Sequence, residues 1–339
     1  MSIEDPAALS TARLVIGLDG GNSKTHLVLA TAAGDVLAAV AGPSMSPPVV
    51  GLPRSAEVFA ELIAESASRA GLKTNGPAAE VAVVCLAGAD TAAETRQIQR
   101  TLAQVGGARR LLVNNDAAAA LRAGAPRGWG VALVCGTGIN ALGRAPDGRM
   151  AGFPALGALS GDWGGGMAVG VAALAAAVRG RDGRGPHTSL EVAIPAAFGR
   201  STPLAVTMAI HRGRLAHVRL RELAPVVYDA ARHGDAVAGA LLDRLADELA
   251  SMAISVIRRL HLVRRDVDVV LAGGLLAGGE PRIIERTAAA IRAVARDARV
   301  RVLADPPVIG AVLMALDLLD DGPAAAGEQR LRRQHVDPR

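Results

Sequence analysis

The sequence predicts an α/β protein of two similar halves, the second carrying a helical insertion. Three observations lead there. The 339 residues exceed what one hydrophobic core normally organises. A three-strand meander pattern begins at Leu14 and restarts at Gly130. After each meander, apolar strand-like runs alternate with helical stretches, so each half reads βββαβαβα, a duplicated domain rather than a solenoid repeat.

In the first half, LVIGLDGG (14–21), THLVLAT (25–31) and DVLAAVAG (35–42) alternate as strands, with a tight turn at 32–35. A helix over 55–70, strand VAVVCLAG (81–88), a helix over 91–105, strand RLLVNND (110–116) and an Ala-rich helix ending at Gly124 complete a lobe of residues 1–125. The second lobe, 126–318, opens with GVALVCGTG (130–138), NALGRA (140–145) and RMAGF (149–153). Residues 161–266 read as a mainly helical insertion with Gly/Arg-rich loops and an amphipathic segment over 235–261. Strand DVDVVLAGG (266–274), a helix over 282–297, strand VRVLA (300–304) and a closing helix over 309–319 follow. Residues 319–339 form a C-terminal segment whose basic end, RLRRQHVDPR, reads as a solvated tail.

Composition narrows the function classes. Half of the residues are hydrophobic, yet no apolar run reaches the length of a membrane span. The start, MSIEDPAALSTARLV, is acidic where a secretory signal is basic and lacks the apolar stretch that should follow, so a cytoplasmic location is expected. The two cysteines, Cys85 and Cys135, sit inside apolar runs and read as small core side chains; two thiols are too few for a disulfide framework or a four-thiolate metal site. A formal charge of only +5 with 2% aromatic residues argues against a nucleic-acid partner.

Chemistry concentrates at strand ends. In LDGGNSKT (18–25), glycines allow backbone amides to approach phosphate oxygens, while Ser23, Lys24 and Thr25 supply donors and charge. Asp19 is a candidate magnesium ligand through water; an ordinary hairpin turn would explain the glycines but not this acid on an apolar strand. CGTGIN (135–140) occupies the matching turn of the second half, and its position in the repeat strengthens an otherwise weak motif. NND (114–116) ends a strand in Asp116, which either caps the following helix or accepts a proton from an attacking hydroxyl. SGDWGGGMAVG (160–170) offers Asp162 to sugar hydroxyls and Trp163 to an apolar sugar face, with helix capping and core packing as the plainer readings. LAGGLLAGG (271–279) ends in paired glycines against which a flat adenine or ribose can lie, although a strand-to-helix turn needs no more.

Together LDGGNSKT, VNNDAAAA, CGTGINALG, GALSGDWGGG and VLAGGLL resemble the acetate and sugar kinase, heat-shock chaperone and actin superfamily, most closely the N-acetylglucosamine kinase branch of the BadF/BadG/BcrA/BcrD-type ATPases. The resemblance implies two ribonuclease-H-like lobes closing on ATP and Mg2+. Phosphate loops would be Gly20, Gly21, Asn22, Ser23, Lys24 and Thr25 in the first half and Gly136, Thr137 and Gly138 in the second, with Gly273 and Gly274 at adenosine. It implies Asp116 as catalytic base, with Ser46, Gly88, Asn140, Asp162 and Trp163 beside a small sugar, phosphorylated at its 6-hydroxyl. It also implies that the final helix packs on the first lobe and that the insertion contributes to a homodimer.

The departures fall where the sugar is read. Ser46 of SMSPPVV stands where an asparagine is common, Ala87 where a serine often precedes the glycine, and Trp163 where GDEG carries an acid. N-acetylglucosamine is the expected substrate, with glucosamine and N-acetylmuramic acid as alternatives. An activator-type ATPase and a non-catalytic sensor are the competing classes; the first needs paired cysteines at a dimer interface, which Cys85 and Cys135 do not suit.

Overall fold

The computed structural model describes residues 12–72, 76–319, 325–334 and 336. They divide into two compact units, one within Met1–Trp129 and Leu303–Arg339, the other Gly130–Val302.

The first unit is built on a five-stranded sheet of β1 (Leu14–Gly20), β2 (Lys24–Thr31), β3 (Val36–Pro43), β4 (Ala79–Leu86) and β5 (Ala108–Asn115), in the order β3-β2-β1-β4-β5. The meander strands pair antiparallel and β1, β4 and β5 pair parallel, aligning Asp19 with Cys85 and Cys85 with Asn114. The period of two assigns each strand residue to a face. Ile16, Leu18, Leu27, Val84 and Leu86 share one core with Val58, Phe59 and Leu62 of helix Leu52–Arg69. Val15, Val28, Val83 and Cys85 share the other with Val308, Ile309, Val312 and Leu316 of helix Pro307–Asp317. Burying each such side chain contributes roughly 1.5–3 kcal/mol.

The sequence reading bounded the second lobe at 126–318 while expecting the closing helix to pack on the first lobe; the compact units divide at Leu303 instead. That helix belongs with the first unit because small residues let it sit directly on β1 and on helix Asp116–Gly124. A Cβ at Gly17 would lie 2.3 Å from the Val312 nitrogen, and one at Gly310 would lie 1.9 Å from the Ala119 carbonyl oxygen. The basic end also needs correction: Ala325–Arg333 is a helix, not a solvated tail, because Leu331 is fully buried in the same core. Arg332 donates to the Ala123 carbonyl (2.8 Å) and Glu328 (2.8 Å), and Arg122 bridges Asp317 (2.8 Å) and Glu328 (3.0 Å). Residues 335 and 337–339 of that segment, like the first eleven of the chain, lie outside the described residues.

The second unit repeats the plan with β6 (Gly130–Cys135), β7 (Ile139–Arg144), β8 (Met150–Gly152), β9 (Asp268–Ala272) and β10 (Arg299–Val302), in the order β10-β9-β6-β7-β8. Read from the other edge this is the order of the first sheet. Helix Ala236–Arg259, capped by the Asp235 carboxylate on the Ala238 amide (2.9 Å), buries Leu242, Leu245, Leu249 and Val256 at helical spacing. It packs on β6 and β7 so closely that a Cβ at Gly143 would fall 2.3 Å from Val256 Cγ1. It therefore fills the place that Leu52–Arg69 fills in the first unit. The segment with no counterpart is shorter than the insertion expected over 161–266: helices Gly165–Arg181, Leu190–Ala197, Pro203–His211 and Ala224–Arg232. Among the described residues, no helix is long and apolar enough to cross a membrane.

Candidate functional site

In the first unit the candidate residues collect at one end of the sheet, where β1, β3, β4 and β5 terminate and β2 begins. The turn after β1 closes through the Gly21 amide on the Lys24 carbonyl (2.9 Å), leaving Ser23 and Lys24 exposed. Ser44 ties this turn to the segment after β3, donating to the Gly21 carbonyl (2.9 Å) and accepting from the Ser46 amide (3.2 Å). Ser46 is fully buried, and Gly88, with φ of 88°, lies against the same segment: a Cβ there would meet Pro48 Cδ at 2.5 Å and Ser46 Oγ at 3.5 Å.

Three side-chain atoms at this end are buried without a hydrogen-bond partner: Thr25 Oγ1, Ser46 Oγ and Asn114 Nδ2. An orphaned buried polar atom costs about 1–3 kcal/mol, so three at one sheet end call for donors and acceptors from outside the chain, water included.

The NND motif resolves into separate duties. Asn115, not Asp116, caps helix Asp116–Gly124: its Oδ1 accepts from the Ala117 amide (2.9 Å), while its Nδ2 donates to Asp90 (2.7 Å). Asp116 occupies the first helical position, half-buried. Burial pushes its carboxyl up to about 6, against the lowering influence of the Ala117 and Asp116 amides. Asp19 is pushed up to about 7, first by burial, then by the Asp116 charge, with Lys24 opposing. The two acids therefore form an electrostatically linked pair with little cationic compensation. Cys85 lies beside them, and burial with both carboxylates raises its thiol well above the usual range. It is an inert core residue, as is Cys135, whose thiol burial pushes up to about 12.

In the second unit the corresponding sheet end is made of backbone. The Gly166 and Met167 amides, at the start of helix Gly165–Arg181, donate to the carbonyls of Gly136 (2.8 Å) and Thr137 (3.0 Å). A Cβ at Gly165 would stand 2.4 Å from Gly138 Cα, and one at Gly273 would stand 2.4 Å from the Cys135 carbonyl oxygen. Both glycines have positive φ, 73° and 96°, so geometry and space each demand glycine there. Gly136, Gly138 and Gly274 are different: a Cβ at any of them meets nothing within 4 Å. Packing does not require glycine at these three, and the backbone there is left open.

Asn140, buried on β7, accepts from the Ala141 amide at 2.7 Å. Asp162 is half-buried, accepts from Ser160 Oγ and anchors its own amide on the Gly157 carbonyl (2.9 Å). Trp163 carries the guanidinium of Arg244 3.9 Å above its ring. Within this unit, then, Gly136–Gly138 and Gly273–Gly274 share the sheet end, and Asp162 and Trp163 lead directly into the glycines that brace it.

The residues fit a magnesium nucleotide. Magnesium takes hard oxygen donors and leaves much of its shell to water and phosphate. Asp19, acidic yet short of positive partners, and the unpaired Thr25 hydroxyl have that donor chemistry. The open glycines leave room for phosphate and a flat base. Sequence reasoning passed over Asn114, Asn115, Ser44, the bracing role of Gly165 and the Arg244 stack; only the Asn115 cap had a local signal, because Asn and Asp cap equally well.

The BadF/BadG/BcrA/BcrD ATPase family model matches residues 16–315. An N-acetylmuramic acid/N-acetylglucosamine kinase of Clostridium acetobutylicum is 31% identical over 270 residues, 78% of this chain and 86% of that protein. An N-acetyl-D-glucosamine kinase of Dictyostelium discoideum is 27% identical over 77% of this chain and 85% of its own length. Among solved structures, a provisionally named N-acetylglucosamine kinase from Chromobacterium violaceum superposes with a TM-score of 0.71 at 26% identity, covering 90% of this chain and 99% of its own. The fold is the duplicated, two-lobed, actin-like ATPase fold.

Proposed function

The chain belongs to the BadF/BadG/BcrA/BcrD ATPase family, and on that premise we propose that it is an ATP-dependent kinase of an amino sugar, with N-acetylglucosamine phosphorylated at the 6-hydroxyl. The observation that carries the chemistry is Asp116. It is a half-buried carboxyl raised to about 6, and the neighbouring Asn115 has relieved it of helix capping. A base with that pKa is mostly ionised near pH 7 yet still basic enough to take a proton.

In this mechanism the amides and donors of Gly20, Gly21, Asn22, Ser23, Lys24 and Thr25, with Gly136, Thr137 and Gly138, hold the phosphates, and Gly273 and Gly274 lie against adenosine. Asp19 would hold Mg2+, which neutralises charge on the phosphates when bound. Asp116 accepts the hydroxyl proton as the sugar oxygen bonds to the γ-phosphorus and ADP departs. Ser46, Gly88, Asn140 and Asp162 orient the sugar, and the names of the relatives support the choice of an amino sugar. Exposed Val192 and Leu204 on the unmatched helices support a homodimer, which sedimentation would test.

The decisive experiment is ADP release in the presence of N-acetylglucosamine, glucosamine or N-acetylmuramic acid, with mass spectrometry of the product. A monophosphorylated sugar and one ADP per sugar are expected. ATP hydrolysis that ignores every sugar would sink the proposal.

A further inference from the structure

Helix Ala236–Arg259 presents two kinds of charged side chain. Asp243 and Asp247 meet Arg282 and Arg286 of helix Pro281–Val294 in two-pronged ion pairs, at 2.7 and 2.8 Å for one and 2.6 and 2.8 Å for the other. Those guanidinium forks are filled. Arg244 differs. Its guanidinium carbon lies over Trp163, 3.9 Å from the ring centroid, and the carboxylate it pairs with, Glu248, stands 3.8 Å away, beyond hydrogen-bond distance. The arginine side chain remains 54% exposed.

A guanidinium stacked through its face keeps its N–H donors at its edge, in the plane that a carboxylate engages with two parallel hydrogen bonds. The aromatic platform also fixes the long side chain, reducing the entropy lost when those bonds form. Trp163, the ring under Arg244, follows directly in the chain on Asp162, which the kinase reading assigns to sugar hydroxyls.

We propose that Arg244, held on Trp163, is a specificity-determining residue that recognises a carboxylate carried by the sugar, so that an acidic amino sugar such as one bearing a lactyl ether is accepted beside the neutral one. This rests on the amino-sugar kinase reading. A neutral sugar leaves the fork to water; an acidic one exchanges that water for a charge-assisted pair.

The test compares kcat and KM for N-acetylmuramic acid and N-acetylglucosamine in the wild-type enzyme and in R244A, R244K and W163L. Wild type is expected to use both sugars. In R244A the ratio of kcat/KM for the acidic over the neutral sugar should fall by about tenfold or more, carried by KM. R244K, which keeps the charge but loses the fork, should recover only part of that ratio, and W163L should lower it less than R244A does. A ratio unchanged in R244A, or a wild type that phosphorylates N-acetylglucosamine but not N-acetylmuramic acid, overturns the assignment of Arg244 while leaving the kinase intact. A wild type that phosphorylates neither sugar overturns the kinase reading and this assignment together.

Discussion

The two units share one strand order but not one chemistry. At its sheet end the first carries two linked carboxylates, Asp19 and Asp116, and three unpartnered buried polar atoms. At the equivalent end the second carries glycines, with Cys135 where Asp19 stands in the first. The same strand order thus carries different side chains at its end in each unit. The first is the titrating half. The second is a backbone cradle held rigid by the start of helix Gly165–Arg181.

The sharpest way to break this contrast is Asp116→Asn. Loss of a general base lowers kcat by roughly 100-fold or more, while nucleotide binding by calorimetry should persist; near-normal turnover would remove the chemistry from the first unit. Next comes a pair of glycine substitutions in the second. Gly165→Ala forces a side chain into positive φ and onto Gly138 and should cost about 2–4 kcal/mol of stability. Gly136→Ala meets no protein atom, so it should leave Tm unchanged and weaken ATP binding. Equal Tm losses in both variants would mean that the cradle is ordinary packing.

A smaller effect separates the units by pH. Asp19 and Asp116 titrate at about 7 and about 6 in the fold against an ordinary 3.8. The folded state therefore binds more protons than the unfolded chain across that window, and stability falls as pH rises through it. Asp19→Asn should raise the Tm of the ligand-free protein above pH 7, with the gain vanishing near pH 4; a gain independent of pH would show that the carboxylate is not the cause. Wild-type kcat should rise with pH through about 6 as Asp116 ionises. Smallest of all, Trp163→Leu removes a half-exposed cation–π contact and should cost the second unit only about 0.5–1 kcal/mol in denaturant titrations.

Much of this is legible in the amino-acid sequence. Alternating runs such as LVIGLDGG and VAVVCLAG became β1 and β4 because a period of two commits a strand to its faces. The glycine motifs fell at strand ends, where tight turns need them. What stayed hidden depended on contacts distant in the chain. Gly136 and Gly165 look alike in sequence, yet one faces open space and the other abuts Gly138, a difference set by where a helix docks. The acid that does not cap could not be told from the amide that does, since both suit an N-terminus. The resemblance implied the return of helix Pro307–Asp317 to the first lobe, but Gly17 and Gly310, which let it sit directly on β1 and helix Asp116–Gly124, carry no local signal.

That return orders events on the ribosome. The second unit is one uninterrupted stretch, Gly130–Val302, and every strand of its sheet is synthesised before the helix that covers Val15, Val28 and Val83. During synthesis the first sheet therefore keeps one apolar face without its cover until the whole of the second unit has been made.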